Sequence, residues 1–255
     1  MDSSLRWNDD CWQRHNGAGV QNILCNLLRS PYVDARQPTS FEALPLRSVK
    51  IPAIADYAAS TAAGWQQLAA ETVEMMPAPV EMQPNGFIQA NWRDRPYGQL
   101  PNLEAQSVHD GTTLAVRLRW AKEKPDTGGR EGFTDGAAIA FPIAGEPVLW
   151  TMGNEDEPVQ FIQWQAQKNK IRSVVAWGIG SSVPGTPVAE SVTAGWSQGF
   201  WTIVMLRTLA GGPEAATLQP GTDTQIGFAV WNGSNEERAG IKAVSADWTP
   251  LNIDA

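Results

Sequence analysis

A period of two in apolar and polar residues is clearest over residues 113–120. The apolar side chains occupy the even positions: Leu114, Val116, Leu118 and Trp120. Arg117 and Arg119 occupy odd positions, after the small Ala115. Because successive side chains of an extended chain point to opposite faces, this alternation predicts a half-buried strand.

Further short apolar runs follow one another along the chain, separated by turn residues. They predict an edge strand at 48–52 and strands at 136–142, 147–152, 159–166, 171–177, 199–207, 225–231 and 240–248. One short helix is predicted between residues 56 and 73, where the apolar positions have helical spacing. About eight strands with little helix predict a mainly β fold, an antiparallel, immunoglobulin-like β-sandwich with a few short helices.

The composition agrees with short strands joined by turns, since the 255 residues include 23 glycines, 18 prolines and 12 tryptophans. Residues 1–47 show no clear period and are predicted to form an irregular N-terminal arm, followed by one domain over residues 48–255. A net charge of −8 argues against nucleic acid or an anionic membrane surface as the main partner. No apolar run approaches the roughly 20 residues that span a bilayer, and residues 1–10 lack the pattern of a signal peptide.

Motifs of common enzyme classes are absent from the sequence. Neither His15 nor His109 lies near a serine or cysteine in a nucleophile motif, and no glycine-rich phosphate-binding motif occurs. Cys11 and Cys25 form no CxxC pair, and both a disulfide and two free thiols fit the sequence. The acidic run 155–157 lacks the spacing of an EF-hand and predicts a solvated turn.

Lys242 and Met152 are the two residues whose settings suggest chemistry. Lys242 lies in an otherwise apolar, strand-like segment, where a lysine must reach solvent, pair with an acid, or lose its proton and become a ligand. Met152 ends an apolar run, where a methionine most often fills a core. Together, a thioether and a neutral amine would supply one ligand to each face of a planar metal macrocycle.

The tryptophans suggest a different function. Most of them lie in or beside predicted strands and are expected in the core. On a surface, however, they would form a platform for a flat ligand such as a sugar ring or a porphyrin. A tryptophan-rich β-sandwich that binds carbohydrate is therefore the alternative function, and it predicts a row of exposed tryptophans.

Three segments carry a resemblance to a known family: Asp135–Pro142, Trp150–Pro158 and Trp231–Ser245. In order and spacing they resemble the haem b-binding gamma subunit of type II molybdenum enzymes. That family includes subunits of ethylbenzene dehydrogenase, dimethylsulfide dehydrogenase, the selenate and chlorate reductases and steroid C25 dehydrogenase. The resemblance covers residues 48 to 250 and implies a β-sandwich with one haem b.

The site residues follow from the same resemblance. Met152 matches the methionine of an MGNxxxP-like motif, and Lys242 matches the lysine of an ERxGxKxVS-like motif. These two residues would be the axial ligands of the haem iron, with Lys168 or Lys170 as the alternative lysine. Phe141 and Trp164, in apolar strands, would pack near the porphyrin.

The resemblance also implies a non-catalytic, electron-transferring role in a heterotrimer. A catalytic alpha subunit would carry the molybdenum cofactor, and a beta subunit with iron–sulfur clusters would relay electrons to the haem. An external redox carrier such as a c-type cytochrome would exchange electrons with the haem. The family implies a periplasmic location, although the expected export signal is not visible. A structural subunit of the same trimer without the cofactor is the third interpretation.

Overall fold

A computed structural model describes residues 44–128 and 132–255 and shows a mainly β fold. Residues 1–43, which include Cys11, Cys25 and most of the predicted N-terminal arm, lie outside the described residues. The strands are β1 (Leu46–Lys50), β2 (Glu71–Pro77), β3 (Asn102–His109), β4 (Thr113–Ala121), β5 (Gly136–Pro142), β6 (Val159–Gln165), β7 (Lys170–Ala176), β8 (Val183–Pro184), β9 (Ala189–Ser197), β10 (Phe200–Thr208), β11 (Asp223–Trp231), β12 (Ala243–Ser245) and β13 (Thr249–Ile253).

The strands form two layers that share two strands, as in a β-sandwich. One layer has the order β9-β10-β4-β3-β1-β13, and the other has the order β8-β7-β6-β5-β11-β12. Strands β2 and β11 pass from one layer to the other: the first half of β11 pairs with β13 and the second half with β5. Most pairings are antiparallel, but β1 lies parallel to both β13 and β3. The predicted edge strand is therefore paired on both sides.

The main core lies between the two layers. It contains the even-numbered apolar residues of β4, including Trp120, and the odd-numbered residues of β5, including Phe141. Ring contacts join Trp120, Trp164 and Trp201 at centroid distances of 5.1 to 6.5 Å. The alternation predicted over residues 113–120 is confirmed, because this face of β4 is fully buried.

Both outer faces of the sandwich are also covered, each by a small apolar cluster. Residues 51–68 cover the first layer, where Trp65 packs near Val108, Ala115 and Val204. The segment before β6 covers the second layer, where Leu149 and Trp150 pack on Phe161. Because these segments cover both outer faces of the sandwich, several strands are apolar along their whole length and do not alternate.

Besides the edge position predicted for 48–52, three sequence predictions about elements are wrong. Residues 56–73 form no α-helix but two 3-10 turns, Ile54–Tyr57 and Ala63–Gln67, before β2 begins. The segment 147–152 is a 3-10 turn rather than a strand. Only Ala243–Ser245 of the segment 240–248 is a strand.

One regular α-helix lies in the described part of the chain, α1 (Gly86–Trp92). Its N-cap is Asn85, whose side-chain oxygen accepts a hydrogen bond from the Phe87 backbone N–H at 2.8 Å. Within residues 44–128 and 132–255, no helix is long and apolar enough to cross a bilayer.

Candidate functional site

An apolar cleft on the outer face of the second layer contains both Met152 and Lys242. The space inside it is about 620 Å³, including the part open to solvent. Besides these two residues and Gln83, it is lined by apolar side chains and glycine: Ala78, Pro79, Met82, Ala138, Ala140, Leu149, Trp150, Phe161, Ile179, Phe228, Ala229, Gly240 and Val244.

A tight turn fixes the backbone of Met152 at the edge of the cleft. Met152 ends the 3-10 turn Leu149–Thr151 in the left-handed conformation, with φ 60° and ψ 34°. A non-glycine residue in this region is uncommon and is held there by its surroundings. Its N–H donates to the Leu149 carbonyl at 3.0 Å, and its own carbonyl accepts from the Gly178 N–H at 3.1 Å.

The residues after Met152 form the acidic turn that the sequence predicted. The side-chain oxygen of Asn154 accepts hydrogen bonds from the N–H groups of Asp156 and Glu157 at 2.9 and 3.0 Å. Gly153, at φ 81°, lies so close to the Glu157 carbonyl that a Cβ would be 2.4 Å from that oxygen. The glycine is therefore required for Met152 to be followed directly by this turn.

Two indole hydrogen bonds connect the methionine segment to the lysine segment. The ring N–H of Trp150 donates to the Ala246 carbonyl at 2.5 Å, and that of Trp248 donates to the Pro147 carbonyl at 2.7 Å. These bonds link the turn before Met152 to the turn that follows β12. They explain how two segments far apart in sequence come to line one cleft.

The backbone of Lys242 is held from two sides. Its carbonyl accepts from the Ala78 N–H at 2.9 Å. Gly98, at φ 59°, approaches the same carbonyl so closely that a Cβ would be 2.8 Å from its oxygen. Lys242 immediately precedes β12, and its position is therefore set by the pairing of β12 with β2.

The ammonium group of Lys242 has an unusual environment. Its Nζ lies 5.4 Å from the centroid of the Trp231 ring, and no carboxylate of the described chain forms an ion pair with it. Burial lowers the pKa of Lys242 to about 8. An amine in this setting loses its proton more readily than a surface lysine, which is the condition for acting as a nitrogen ligand.

Buried Glu237 organises the loop that leads to Lys242. One of its carboxylate oxygens accepts from the Gly98 N–H at 2.8 Å, and the other accepts from the Asn232 N–H at 2.9 Å. Asn235 donates a third hydrogen bond, from its side-chain nitrogen, at 3.1 Å. Glu237 thus joins this loop to the segment around Gly98, which packs on the Lys242 carbonyl.

Phe141 and Trp164 do not lie in this cleft. Both are fully buried in the core between the layers, where Trp164 donates to the Asn169 side chain at 3.1 Å. The neighbouring residues of the same strands, Ala140 on β5 and Phe161 on β6, line the cleft instead. Successive strand residues face opposite sides of a sheet, which places Phe141 and Trp164 on the core side of β5 and β6.

The alternative lysines are also remote from the cleft. Lys168 and Lys170 are exposed at the turn that joins β6 to β7. Met152 lies beyond the opposite end of β6, where Gly153 pairs with Pro158. Of the three lysines that the sequence suggested, only Lys242 lines the cleft.

Sequence analysis missed Met82 and Gln83, which line the cleft beside Lys242. Met82 lies in the 3-10 turn Val80–Met82, and Gln83 follows it directly. The prolines that flank this turn predict the end of a helix but give no sign of a ligand site. The Gln83 side chain donates to the Gly240 carbonyl at 3.3 Å, which connects this turn to the loop before Lys242. Met82 places a second thioether in the same cleft.

The tryptophans do not form an exposed row in the described structure. Among the described tryptophans only Trp177 and Trp196 are exposed, at 38% and 37%. Trp177 follows β7 in the second layer, whereas Trp196 lies on β9 in the first and donates to the Lys122 carbonyl at 2.8 Å. A set of at least three histidine, cysteine or acidic side chains placed to hold a metal does not occur among the described residues.

Comparison with solved structures found family 9 carbohydrate-binding modules. The module from Caldicellulosiruptor kristjanssonii in complex with cellotriose has a TM-score of 0.49 and 6% sequence identity, covering 82% of this chain and 93% of that one. A carbohydrate-binding protein from Bacteroides uniformis has a TM-score of 0.45 and 10% identity. A likeness at this level says nothing about a ligand of this chain.

Sequence comparison found more informative relatives. The ethylbenzene dehydrogenase family model matches residues 180–243, which include Lys242. The gamma subunit of chlorate reductase from Ideonella dechloratans is 35% identical over 59% of this chain and 64% of that protein. A protein of Haloferax mediterranei, named as a respiratory nitrate reductase heme subunit, is 32% identical over 72% of this chain and 66% of its own length. The chain thus spans slightly less than two thirds of these two relatives.

A third relative is matched over a larger share of its length. The gamma subunit of dimethylsulfide dehydrogenase from Rhodovulum sulfidophilum is 31% identical over 193 residues, which is 72% of this chain and 71% of that subunit. The chain belongs to the gamma-subunit family of type II DMSO reductase-like molybdenum enzymes.

Proposed function

We propose that this chain is an electron-transfer subunit that holds one haem b in the cleft between Met152 and Lys242. The observation that carries the proposal is that these two residues line one apolar cleft. The name of the nitrate reductase relative supports a haem in this family. A haem bound here would supply one-electron redox chemistry, which the protein tunes through its ligands and the dryness of the site.

The residues of the cleft fit such a group. Trp150 and Phe161 provide large apolar surfaces, while Ala138 and Ala140 leave space above β5. Lys242 has a lowered pKa and no carboxylate partner in the described chain. Its neutral amine would serve as one ligand, and the thioether of Met152 as the other, with the tight turn at residues 152–158 fixing the methionine.

The proposal includes partners by analogy with the relatives. A molybdenum-containing alpha subunit and an iron–sulfur beta subunit would complete a heterotrimer, as the gamma-subunit names of two relatives suggest. Electrons would pass between the iron–sulfur subunit and an external carrier, such as a c-type cytochrome, by way of this chain. We also propose a periplasmic location, as the sequence resemblance to this family implies, which cell fractionation would test.

The first experiment is a visible spectrum of the complex purified with its partners, oxidised and then reduced with dithionite. Low-spin bands and a pyridine haemochrome of b type are expected. An intact complex without a Soret band would contradict the haem and favour a structural subunit.

Ligand variants then test the cleft. Lys242→Ala should abolish the low-spin spectrum, and Met152→Ala should lower the haem potential or weaken haem retention. Lys170→Ala, at the exposed β6–β7 turn, and Met82→Leu, in the same cleft, are the matched controls. If Met82→Leu rather than Met152→Ala changed the spectrum, the thioether ligand would be Met82.

A further inference from the structure

A second pocket lies on the opposite outer face of the sandwich, beside residues 51–68. Its volume is about 530 Å³, including the part open to solvent. Arg117 of β4 lines it together with the polar residues Ser60, Thr61 and Gln66. Ala62, Leu68 and Ala70 provide an apolar part of the wall. This pocket shares no residue with the cleft that holds Met152 and Lys242.

Arg117 is held in place by neutral groups only. Its Nη1 donates to the Gln106 side-chain oxygen at 2.6 Å, and its Nε donates to the Ser60 carbonyl at 3.3 Å. Gln106 is itself fixed, because its amide nitrogen donates to the carbonyls of Trp65 and Leu68, both at 2.8 Å. These acceptors hold the guanidinium of Arg117 in one orientation, and its remaining N–H groups are available to a ligand.

No carboxylate of the described residues neutralises Arg117. Glu104 pairs instead with Arg119, at 3.0 Å, and Arg119 stacks over the Phe200 ring. Burial and the nearby Arg119 lower the pKa of Arg117, and Glu104 offsets this only in part. A half-buried cation without an anionic partner is costly in a folded protein, and an arriving anion removes much of that cost.

We propose that the Arg117 pocket binds an oxyanion, and that its lining fits a small carboxylate with a short apolar portion. The fork of a guanidinium matches the two oxygens of a carboxylate, and it also matches phosphate. The hydroxyls of Ser60 and Thr61, which donate to none of the described residues, are available as further donors. The apolar wall would contact the aliphatic part of the ligand.

The test is calorimetric titration of the full 255-residue chain with butyrate and, separately, with inorganic phosphate. Chloride keeps the ionic strength constant, so that a saturable signal reports a site rather than screening. Saturable binding of either probe supports the site, and the tighter probe identifies the class of oxyanion. Absence of saturable binding by both probes would overturn the proposal.

Variants separate this pocket from general charge effects. Arg117→Gln should abolish binding, and Arg117→Lys, which keeps the charge but loses the fork, should weaken it at least roughly tenfold. Arg172→Gln is the control, because Arg172 lies on β7 in the other layer and, within the described chain, its guanidinium hydrogen-bonds to the Gln163 side chain alone. Unchanged binding by Arg117→Gln would contradict the proposal.

Circular dichroism would show whether Arg117→Gln folds. If it does not fold, a double variant that leaves the charge unchanged tests the same pocket. Ser60→Ala combined with Thr61→Val removes both hydroxyls without changing charge. The affinity should fall several-fold. If this double variant bound as tightly as the parent chain and Arg117→Lys did too, the pocket would not be the site.

Discussion

At the scale of single residues, the lysine that we propose as a haem ligand, Lys242, carries a cost in stability. Burial lowers its pKa from 10.5 to about 8, so the folded chain without a cofactor disfavours the ammonium form. At pH 7 that form must nevertheless be buried, which costs up to about 3 kcal/mol if the whole shift is realised. The figure is an upper bound, because the side chain keeps some access to solvent.

Lys242→Met should therefore stabilise the haem-free chain at pH 7, by about 1–3 kcal/mol. Because the pKa is lowered in the folded state, the unfolded chain binds more protons between pH 8 and 10.5. Stability of the parent chain consequently rises with pH across this window, and the advantage of the variant shrinks. Urea unfolding at pH 7 and pH 10 would measure both effects.

The control for this prediction is Lys170→Met, at an exposed position on β7. It should leave the difference between the two pH values unchanged. An advantage of Lys242→Met that stayed constant from pH 7 to pH 10 would show that the gain comes from packing and not from the buried charge.

The same scale shows what residue patterns could and could not predict. Met152 and Lys242, which the motifs singled out, line one cleft. Phe141 and Trp164 were assigned by their apolar strands alone, and β5 is buried on both faces. When both faces are apolar, alternation separates the two sets of side chains but does not indicate which set meets a ligand.

At the scale of elements, the turn after Met152 depends on Gly153. Gly153→Ala would force a Cβ against the Glu157 carbonyl, at a backbone φ of 81°. The expected loss is about 2–4 kcal/mol of unfolding free energy, measured by urea denaturation. Haem retention should fall with it, because the turn positions Met152.

Gly111→Ala provides the comparison for this turn. Gly111 has a similar φ of 92°, but a Cβ there would meet no atom within 4 Å. Only the conformational cost of about 1–2 kcal/mol is expected. Equal losses in the two variants would mean that the 153–158 turn shifts to accommodate the methyl group.

The loop before Lys242 depends on the buried carboxylate of Glu237, which gives a second prediction about an element. Glu237→Gln replaces a carboxylate oxygen by an amide nitrogen where three donors converge. At least one backbone N–H then loses its acceptor, at a cost of about 2–3 kcal/mol. Urea denaturation would measure this loss, and the haem spectrum of the complex would report the displacement of Lys242.

The matched change is Glu236→Gln, one residue earlier. Its carboxylate pairs with Arg95 at 2.8 Å but is 59% exposed, and exposed pairs contribute at most about 1 kcal/mol. If Glu236→Gln destabilised the chain as much as Glu237→Gln, the buried network would not be what organises this loop.

Element prediction succeeded for several long strands of the two layers and failed for apolar segments that fold mainly as turns. Strands β4 and β5 follow directly from the apolar runs. The segments 147–152 and 240–248 are equally apolar, yet they fold as turns whose indoles bond to each other's carbonyls. The apolar residues in these turns are buried by a distant segment, and a local pattern contains no information about that contact.

At the scale of the whole molecule, three exposed acidic residues lie on the segments that contain Met152 and Met82, which we call the acidic rim, while exposed Arg238 lies on the loop before Lys242. The turn after Met152 contains Glu155 and Asp156, both exposed, and Glu81 is exposed on the 3-10 turn that contributes Met82. Apolar Val148 and Trp177 are exposed on the adjoining segments, at 61% and 38%. An acidic rim around an apolar opening is complementary to a basic redox protein.

Electron exchange between the complex and a cationic c-type cytochrome should therefore slow as ionic strength rises, because screening weakens electrostatic steering. Replacing both Glu155 and Asp156 by lysine should lower the second-order rate at low salt by roughly tenfold or more and flatten its salt dependence. Stopped-flow mixing of the reduced complex with the oxidised cytochrome measures both quantities.

Glu123→Lys, on the loop after β4, is the control for a charge change outside the rim. A rate that fell equally in the control would indicate a response to net charge alone. A haem spectrum identical to that of the parent complex would show that docking, and not cofactor binding, had changed.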